Sequence, residues 1–433
     1  MRIVFFTHYF SPESNAPANR TYEHCVRWAE QGVDVTVITC VPNVPNGIVY
    51  DGYQNRLWPQ KETIDGINVI RVWTMIAPNS GAIRRILNYT SYFISAIFAF
   101  LFFCRRPNLV VSTSPQFFCG WAGIVASCLK WCPLVLEIRD IWPESIIAVG
   151  AMRRGLMTRI LEVLEKWMYK SATHIVAVGT GYKDAVLKKV PTRKNEISVV
   201  TNGVDLNRFV PRPPNSALFS QWDLKDKFLC SYVGTIGMAH DLRVVVEAAV
   251  LLKEKGRQDI RFCLVGDGAN RKRLEKEADE KGVSEWIVFT GRLPKEKISD
   301  VLSSSDATLI HLKQCDLFTT VIPSKIFESM AMARPIVMGV DGEAREIVRA
   351  SGSGVDMRPG NPYDLANCVC DLADHPEKME QLSRSGRTFV SKNYTRDILA
   401  GRYLQIMQAV VQRQPIPKFP QPSSSVAQSE VRA

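Results

Sequence analysis

The sequence lacks the signatures of several metal- and cofactor-dependent classes. None of its 11 cysteines belongs to a CxxC pair, and Cys128 and Cys132 have no partner ligands beside them, which argues against a zinc site. The first apolar run is not followed by a G-x-G-x-x-G turn, so hydride transfer on a dinucleotide loses its main support. We therefore expect no metal and no cofactor.

A secretory leader and a nucleic-acid-binding module are also missing. The opening stretch MRIVFFTHYF has only a short apolar run, typical of a first strand, so we expect a cytoplasmic location and reduced cysteines. The 54 Lys and Arg exceed the 43 Asp and Glu, and the net charge of +11 favours anionic partners such as phosphates or acidic lipid surfaces. The basic residues form no stripe, so nucleic acid is not an expected partner.

Short β-rich apolar runs alternate with helical segments along most of the 433 residues, a pattern typical of parallel sheets covered by helices. This length exceeds that of a single core. The sequence therefore predicts an α/β protein of two doubly wound domains, residues 1–203 and 204–392, then a terminal helix over 393–411 and a disordered tail over 412–433. The strand candidates are RIVFFTHY, VDVTVIT, INVIRVWT, PNLVVST, PLVLEIRD, THIVAVG, ISVVTNGVD, KFLCSYVGTIG, IRFCLVGDG, WIVFTGRL, ATLIHL and PIVMGV.

One segment breaks this soluble pattern. Residues 86–104, ILNYTSYFISAIFAFLFFC, are about as long as a membrane span and are bracketed by Arg84, Arg85, Arg105 and Arg106. Three interpretations are open: a single crossing, a fully buried helix of the first domain, and a helix at the membrane interface with basic anchors. We expect the third, because a crossing would separate two strands of one sheet.

The loop after the first strand, THYFSPESNAPANR, leads into a helix that begins near Ala18. Asn15 and Arg20 lie at this helix start, where amide donors and the helix dipole can hold an anion or a sugar hydroxyl. The alternative is an ordinary capped helix. His8 ends the strand and either faces a ligand cleft or is a structural histidine.

The run LEIRDIWPES places Arg139 and Asp140 just past a strand, where open-sheet enzymes hold reactive groups. Asp140 is predicted to position a hydroxyl nucleophile or a sugar, and Arg139 to pair with phosphate or carboxylate. Alternatively, the two form an ion pair that locks the turn.

In the second half, the runs VGTIG and LVGDG place glycines 234, 266 and 268 at strand ends, where a ligand can approach the backbone closely. The run TGRLPKEK adds two basic residues after a third strand. Together these turns outline a rim suited to a nucleotide diphosphate, formed by Gly234, Gly266, Gly268, Arg292 and Lys297.

The stretch VIPSKIFESMAMARPIV predicts a helix of about three turns, with Ser324 as its N-cap. Glu328 lies among apolar residues of this helix and is not at the capping-box position. Because burying an unpaired carboxylate is costly, another group must satisfy it. A ribose diol would donate two hydroxyls to Glu328, while Lys325 and the helix-start amides would bind the attached phosphates. The alternative is an ion pair with Arg334 or Arg345.

The motifs YFSPESNAPANR, GVDVTVIT, LEIRDIWPES, VTNGVDLNRF, VGDG and PSKIFESMAMARPIV occur in a fixed order up to about residue 411. In this they resemble the retaining GT-B glycosyltransferases of family 4, and within them the WbuB-type L-fucosamine transferases of O-antigen and capsule assembly. The resemblance implies two Rossmann-like domains facing a cleft, with a nucleotide sugar held by the second and the acceptor by the first. Glu328 matches the second glutamate of the family's E-x7-E motif, the ribose ligand. The predicted donor-binding residues of this motif are Thr320, Ser324, Lys325, Ile326, Phe327 and Glu328.

The sequence departs from the family pattern at several of these positions. Thr320 replaces the first glutamate of the motif, and Thr235 and His240 stand where the family often has Arg and Lys for the diphosphate. Lys325, Arg292 and Arg20 would then have to supply that charge. Further departures are Arg139, where many relatives have histidine, and Asn15, which replaces a common glycine.

The resemblance implies retaining transfer of a sugar, an N-acetylated deoxyhexosamine such as N-acetylfucosamine, from a UDP-sugar to a polyprenyl-diphosphate-linked saccharide. The enzyme would work at the cytoplasmic face of the inner membrane. Amides and cations would meet the charge of the leaving UDP without a metal, and the departing phosphate would take the acceptor's proton. Two rivals remain: a UDP-sugar epimerase of similar build, and a membrane-associated protein that binds a nucleotide sugar without turnover.

Overall fold

The computed structural model describes residues 1–44, 47–76, 82–114, 116–144, 147, 155–215, 224 and 226–419. The chain divides into two compact units. One unit comprises Met1–Asn202 with Arg396–Phe419, and the other contains Gly203–Thr395. The predicted tail begins where the last helix ends, at Gln412, and its residues from 420 onward lie outside the described part of the chain.

The first unit is built on an eight-stranded sheet in the order β3-β4-β2-β1-β5-β6-β7-β8. Neighbouring strands pair in parallel except β3 and β4, which are antiparallel. The strands are β1 (Arg2–Phe6), β2 (Asp34–Cys40), β3 (Gln60–Ile64), β4 (Ile67–Val72), β5 (Leu109–Thr113), β6 (Leu134–Ile138), β7 (His174–Ala177) and β8 (Ile197–Val199).

Helices cover both faces of this sheet. The helices are α1 (Ala16–Glu30), α2 (Ala82–Phe103), α3 (Phe117–Lys130), α4 (Leu156–Ser171), α5 (Thr180–Lys189) and α13 (Arg396–Gln412). Alternate residues of β1 serve two cores, as expected for a strand buried on both sides. Ile3 and Phe5 pack with α1 and α13, whereas Val4 and Phe6 pack with α2, α3, α4 and α5.

The apolar segment forms α2, which lies along the sheet. Within the described residues, Ile86–Phe103 is a helix long and apolar enough to cross a membrane by length and composition. Tyr92, Ala96 and Phe100 are fully buried against the sheet, while Ile94 and Phe102 on the same helix are mostly exposed. The interpretation as a fully buried helix is therefore wrong, because one face of α2 remains uncovered and apolar.

The second unit is built on a six-stranded parallel sheet in the order β11-β10-β9-β12-β13-β14. Its strands are β9 (Phe228–Val233), β10 (Ile260–Val265), β11 (Ile287–Gly291), β12 (Ala307–His311), β13 (Ile336–Gly339) and β14 (Gly354–Asp356). Its helices are α6 (Arg243–Glu254), α7 (Arg271–Glu280), α8 (Ile298–Ser303), α9 (Lys325–Ala331), α10 (Glu343–Ser351), α11 (Pro362–Asp374) and α12 (Pro376–Asn393).

This architecture confirms the predicted α/β class of two Rossmann-like units. Each strand candidate of the sequence corresponds to a strand of the structure, and the sequence missed two short edge strands, β3 and β14. The predicted terminal helix appears as α13. It packs on α1 in the first unit, where the Trp28 indole nitrogen donates a hydrogen bond to Ala400 O at 3.0 Å.

Candidate functional site

The turns after β9, β10 and β11 interlock through their glycines. The Gly234 N–H donates to Val265 O at 2.9 Å, and the Gly266 N–H donates to Gly291 O at 3.0 Å. A Cβ built on Gly266 would lie 1.8 Å from Gly234 O. A Cβ on Gly268 would likewise clash with backbone, at 2.5 Å from the carbonyl oxygen of residue 236. The space beside Gly266 and Gly268 is thus filled by neighbouring backbone, which gives both glycines a packing role.

Gly234 instead leaves room for a lysine. A Cβ at this position would lie 2.8 Å from the Lys325 ammonium nitrogen. That nitrogen lies 3.9 Å from the centroid of the Tyr232 ring, a cation–π contact. The Tyr232 hydroxyl donates to Thr235 O at 2.8 Å, which fixes the ring at the end of β9.

The Lys325 ammonium has a lowered pKa, close to the physiological pH range. Burial lowers the pKa of its ammonium to about 8, and the nearby Glu328 carboxylate opposes this shift. Lys325 opens α9, and Glu328 follows one turn later on the same helix. A desolvated cation beside a glycine turn at the carboxyl end of a parallel strand is suited to meeting a phosphate.

Glu328 is half-buried, and the two arginines named as alternative partners each have a different acid nearby. Arg345 pairs with Asp341 at 2.9 Å. The pKa of Arg334 is lowered by burial, and its electrostatic partner is Asp306. Both arginines thus have an acid other than Glu328 beside them, and the ribose-binding role of Glu328 stays a prediction.

The structure corrects several details predicted for α9. The helix spans only Lys325–Ala331, about two turns, and the Ser324 side chain makes no capping hydrogen bond. The side chains of Ile326 and Phe327 are fully buried in the core and do not face a ligand. Their amides donate to the carbonyl oxygens of Pro323 and Ser324 at 3.1 and 3.0 Å. The start of the helix therefore offers fewer free amide donors than predicted, and Lys325 is its main source of positive charge.

Two histidines that are not among the predicted site residues lie near the end of β12: His240 shares the Tyr232 ring with Lys325, and His311 contacts His240. His311, at the end of β12, is held between His240 O and Gly360 N–H, each at 2.8 Å from a ring nitrogen. His240 packs edge-on to Tyr232 at 5.9 Å between ring centroids. Burial, together with the smaller effect of the Lys325 charge, lowers the pKa of His240 to about 4. Within the described chain, its buried Nδ1 has no hydrogen-bond partner.

The remaining predicted residues of this unit, Arg292, Lys297 and Thr320, lie in the segments that connect strands and helices. Arg292 directly follows β11, and both it and Lys297 are exposed. No ion pair involves either of them within the described residues. Thr320 is half-buried at the end of a short 3-10 turn, Asp316–Thr320, that precedes α9. Because β9, β10 and β11 are parallel neighbours, their terminal loops share one edge of the sheet.

In the first unit, Arg20 belongs to a buried ion pair. Its guanidinium donates to the Glu137 carboxylate at 3.2 Å and to the carbonyl oxygens of Val200 and Thr201 at 2.8 and 2.7 Å. A further bond reaches the Asn202 side chain at 3.1 Å. With only 1% of its surface exposed, Arg20 is engaged in holding this unit together. The expectation that it supplies charge to a diphosphate does not fit this position.

Arg139 lies against the same buried carboxylate. Its Nε is 3.9 Å from a Glu137 oxygen, and its guanidinium donates to Pro17 O at 3.3 Å. Burial lowers the pKa of Arg139 to about 10, opposed by the Glu137 charge. Asp140 follows at the end of β6, half-buried, with one carboxylate oxygen accepting from the Ile141 N–H at 2.9 Å. The structure thus pairs Arg139 with Glu137, a residue that the sequence did not single out.

Asn15 and His8 have structural partners. The Asn15 side chain caps α1 by accepting from the Ala18 N–H at 2.9 Å, as in an ordinary capped helix. His8 is buried against the rings of Tyr89 and Tyr92, with centroids 5.5 and 5.2 Å away. Burial lowers the pKa of His8 to about 4, so its imidazole is neutral near pH 7.

Comparison with known proteins agrees with this architecture. The family described as "Glycosyl transferase 4-like domain" matches residues 15–203, and "Glycosyl transferases group 1" matches residues 216–389. The chain is 25% identical over 390 residues to WcaI of Escherichia coli (strain K12), named as a colanic acid biosynthesis glycosyl transferase. That match covers 88% of this chain and 90% of the relative.

Solved structures resemble the fold as a whole. HepE of Anabaena, crystallised with UDP, is 14% identical with a TM-score of 0.69 over 94% of this chain and 100% of its own. Sucrose-phosphate synthase of Thermosynechococcus elongatus is 15% identical with a TM-score of 0.72 over 95% of this chain and 100% of its own. Two glycosyltransferase family matches on two Rossmann-like units of the GT-B fold place this chain among the glycosyltransferases of the GT-B family 4 superfamily.

Proposed function

We propose that the protein transfers a sugar from a UDP-sugar, with retention of configuration, to a lipid-linked saccharide in surface polysaccharide biosynthesis. The observation that carries this proposal is the pairing of Lys325 and Glu328 one turn apart on α9, beside Gly234. Lys325 supplies a desolvated cation for the diphosphate, and Glu328 supplies two acceptor oxygens for the ribose diol. The UDP bound to HepE and the colanic acid role named for WcaI support the choice of donor and pathway class.

Stabilising the leaving group is the central chemical task of such a transfer. Negative charge builds on the diphosphate as the bond to the sugar breaks, and a cation already desolvated at that point meets it without reorganisation. Lys325 holds this position, with Arg292 on a neighbouring loop of the same sheet edge. The departing phosphate takes the proton of the acceptor hydroxyl, and no metal is required for this step.

The first unit is proposed to hold the acceptor. Asp140 lies at the carboxyl end of β6, where its carboxylate orients the acceptor hydroxyl or the donor sugar. The transferred sugar is proposed to be an N-acetylated deoxyhexosamine such as N-acetylfucosamine. The acceptor is proposed to be a polyprenyl-diphosphate-linked saccharide at the cytoplasmic face of the inner membrane, with the apolar face of α2 at the lipid interface.

The role of Glu328 is tested with two nucleotides. UDP and 2′-deoxy-UDP differ by one ribose hydroxyl, so the wild-type protein should bind UDP more tightly by roughly tenfold or more. Glu328→Ala should weaken UDP binding and bring the two affinities close together, measured by calorimetry. Glu346→Ala, which removes an exposed acid of α10, is the matched control and should keep the discrimination. Unchanged discrimination in Glu328→Ala would defeat the assignment.

The reaction class is tested by product analysis. A panel of UDP-sugars is incubated with a polyprenyl-diphosphate acceptor, and the products are identified by mass spectrometry and anomeric NMR. A retained linkage on the lipid supports the proposal, and an inverted linkage contradicts it. Conversion of the donor alone into another UDP-sugar would instead show an epimerase, and UDP-sugar binding without turnover would show a non-catalytic protein.

A further inference from the structure

The helical layer that contains α2 has an unusual charge distribution. Between Asp65 and Glu137 the chain has no acidic residue, and this stretch includes all of α2 and α3. Arg84, Arg105 and Arg106 are exposed within it. The solvent-facing charge of α2 and α3 is therefore of one sign.

A second helix of the same layer, α4, also turns apolar side chains to the outside. Leu156, Ile160, Val163 and Trp167 recur at helical spacing, and they are 76, 46, 65 and 59% exposed. This spacing places them along one stripe of the helix. The opposite side of α4 is used for packing, with Met168 and Tyr169 buried in the core. The outward stripe is thus not part of the core of this unit.

The basic residues of α4 are more exposed than its acidic residues. Arg159, Lys166 and Lys170 are all exposed. The acidic Glu165 is fully buried in an ion pair with Lys189 of α5, and Glu162 is half-buried. The outer side of α4 therefore combines an apolar stripe with flanking basic residues, although the helix as a whole carries both signs of charge.

The helix α3 joins α2 and α4 into one surface. The Trp121 ring of α3 contacts the Trp167 ring of α4 edge-on, with centroids 5.3 Å apart. Trp131, at the C-cap of α3, is 86% exposed, and Leu129 is about half exposed. We define the outer helical face as the exposed apolar residues of these three helices: Ile86, Leu87, Ile94, Phe98, Leu101, Phe102, Leu129, Trp131, Leu156, Met157, Ile160, Val163 and Trp167.

We propose that the outer helical face docks as a unit on an anionic lipid bilayer, with α4 as a second lipid-contacting helix beside α2. This inference extends the proposed function, from which it takes the membrane as partner. Aromatic and aliphatic side chains enter the headgroup and acyl boundary, and Arg105, Lys166 and Lys170 meet lipid phosphates. A second copy of the chain fits less well, because a symmetric contact would set these basic residues against one another.

The test measures sedimentation of the full chain with vesicles. Vesicles of phosphatidylcholine mixed with an equal amount of phosphatidylglycerol should bind the protein, and added salt should weaken binding. The variant Val163→Asp/Trp167→Glu, which leaves α2 intact, should lower the partition coefficient at least about tenfold. Tyr363→Glu, at a residue of the second unit that is 64% exposed, is the matched control and should bind as the wild type does.

Charge is tested separately from apolar contact. Lys166→Glu/Lys170→Glu should bind phosphatidylglycerol vesicles weakly and should lose most of the salt dependence. Circular dichroism and thermal melting establish that each variant is folded, which the exposure of all four side chains favours. Light scattering without lipid measures the molar mass of the protein and so shows whether the outer helical face instead binds a second copy of the chain.

Three outcomes would overturn the inference. They are unchanged vesicle binding by the Val163/Trp167 variant, equal binding to pure phosphatidylcholine, and a wild-type dimer that this variant disperses. A transfer assay with a water-soluble, short-chain acceptor separates the two proposals. The α4 variants should retain that activity, whereas failure of the Glu328 test with intact vesicle binding would remove only the proposed nucleotide site.

Discussion

The Lys325 ammonium nitrogen lies 3.9 Å from the centroid of the Tyr232 ring, in a space that a side chain at position 234 would occupy. The ring stabilises the cation from one side but does not accept a hydrogen bond as strongly as a carboxylate would. Burial consequently lowers the pKa of Lys325 to about 8 even though Glu328 lies one turn away. A diphosphate would restore the electrostatic partner that the folded unit only partly supplies.

UDP affinity should therefore depend on pH above neutrality. Lys325 is charged below its pKa of about 8 and loses its proton as the pH rises, while a bound diphosphate favours the charged form. The dissociation constant should increase by up to about tenfold per pH unit above pH 8, with proton uptake on binding. Calorimetry in two buffers of different ionisation enthalpy measures both effects. Lys325→Arg should flatten the profile, and a wild-type profile that is flat to pH 10 would contradict the assignment.

The fold was largely predictable because nearly every strand is a continuous apolar run. The strands that the sequence missed, β3 and β14, are short edge strands, and QKETI alternates without a strong apolar face. The Lys325 and Glu328 pair was predictable from a carboxylate in an apolar helix that capping does not explain. The Tyr232 contact was not predictable, because it depends on which loops meet at the sheet edge.

The buried ion pair of Arg20 and Glu137 in the first unit is a second contact that could not be predicted from the sequence. Arg20 stands in a loop-and-helix motif that suggested ligand binding, but its partners are 117 to 182 positions away along the chain. The signal that could have revealed them is Glu137, a charged residue inside the apolar strand LVLEI. A carboxylate in such a strand requires a buried base, and the sequence contains several candidate arginines.

Removing Arg20 should therefore reduce stability and leave nucleotide binding intact. Arg20→Met leaves the buried Glu137 without its main partner and should lower the free energy of unfolding of the first unit by about 3–5 kcal/mol. Urea denaturation followed by fluorescence measures this loss. The control Arg349→Met removes an exposed pair with Asp356 and should cost about 1 kcal/mol or less. A stable Arg20→Met protein with weakened UDP binding would restore the ligand role.

Gly266 should not tolerate a side chain. Its φ of +146° is unfavourable for other residues, and a Cβ would lie 1.8 Å from Gly234 O, so Gly266→Ala must separate the two interlocked loops. We expect a lower melting temperature and weaker UDP binding, because the Gly234 turn lies directly against the Lys325 ammonium. Gly401→Ala on α13 meets no atom within 4 Å and should be neutral or slightly stabilising. Equal melting temperatures for the two variants would contradict the packing role.

A buried carboxylate should make the stability of the first unit depend on pH. Glu165 accepts from the Tyr169 hydroxyl at 2.5 Å and pairs with Lys189, and burial raises its pKa to about 7.

A raised carboxyl pKa means that the folded state favours the protonated form. The contribution of Glu165 is therefore most favourable below its unfolded pKa of about 4.5 and is lost as the pH rises through 7, by at most about 3 kcal/mol. Glu165→Gln removes this titratable carboxyl group, and Lys189 keeps its other partner, Glu144, at 2.7 Å. Between about pH 5 and 7.5, the wild type should lose more stability than the variant in urea denaturation. Glu162→Gln, at a half-buried position of the same helix, should retain the wild-type slope. Parallel slopes for the wild type and Glu165→Gln would show that the buried acid is ionised throughout this range, held so by Lys189.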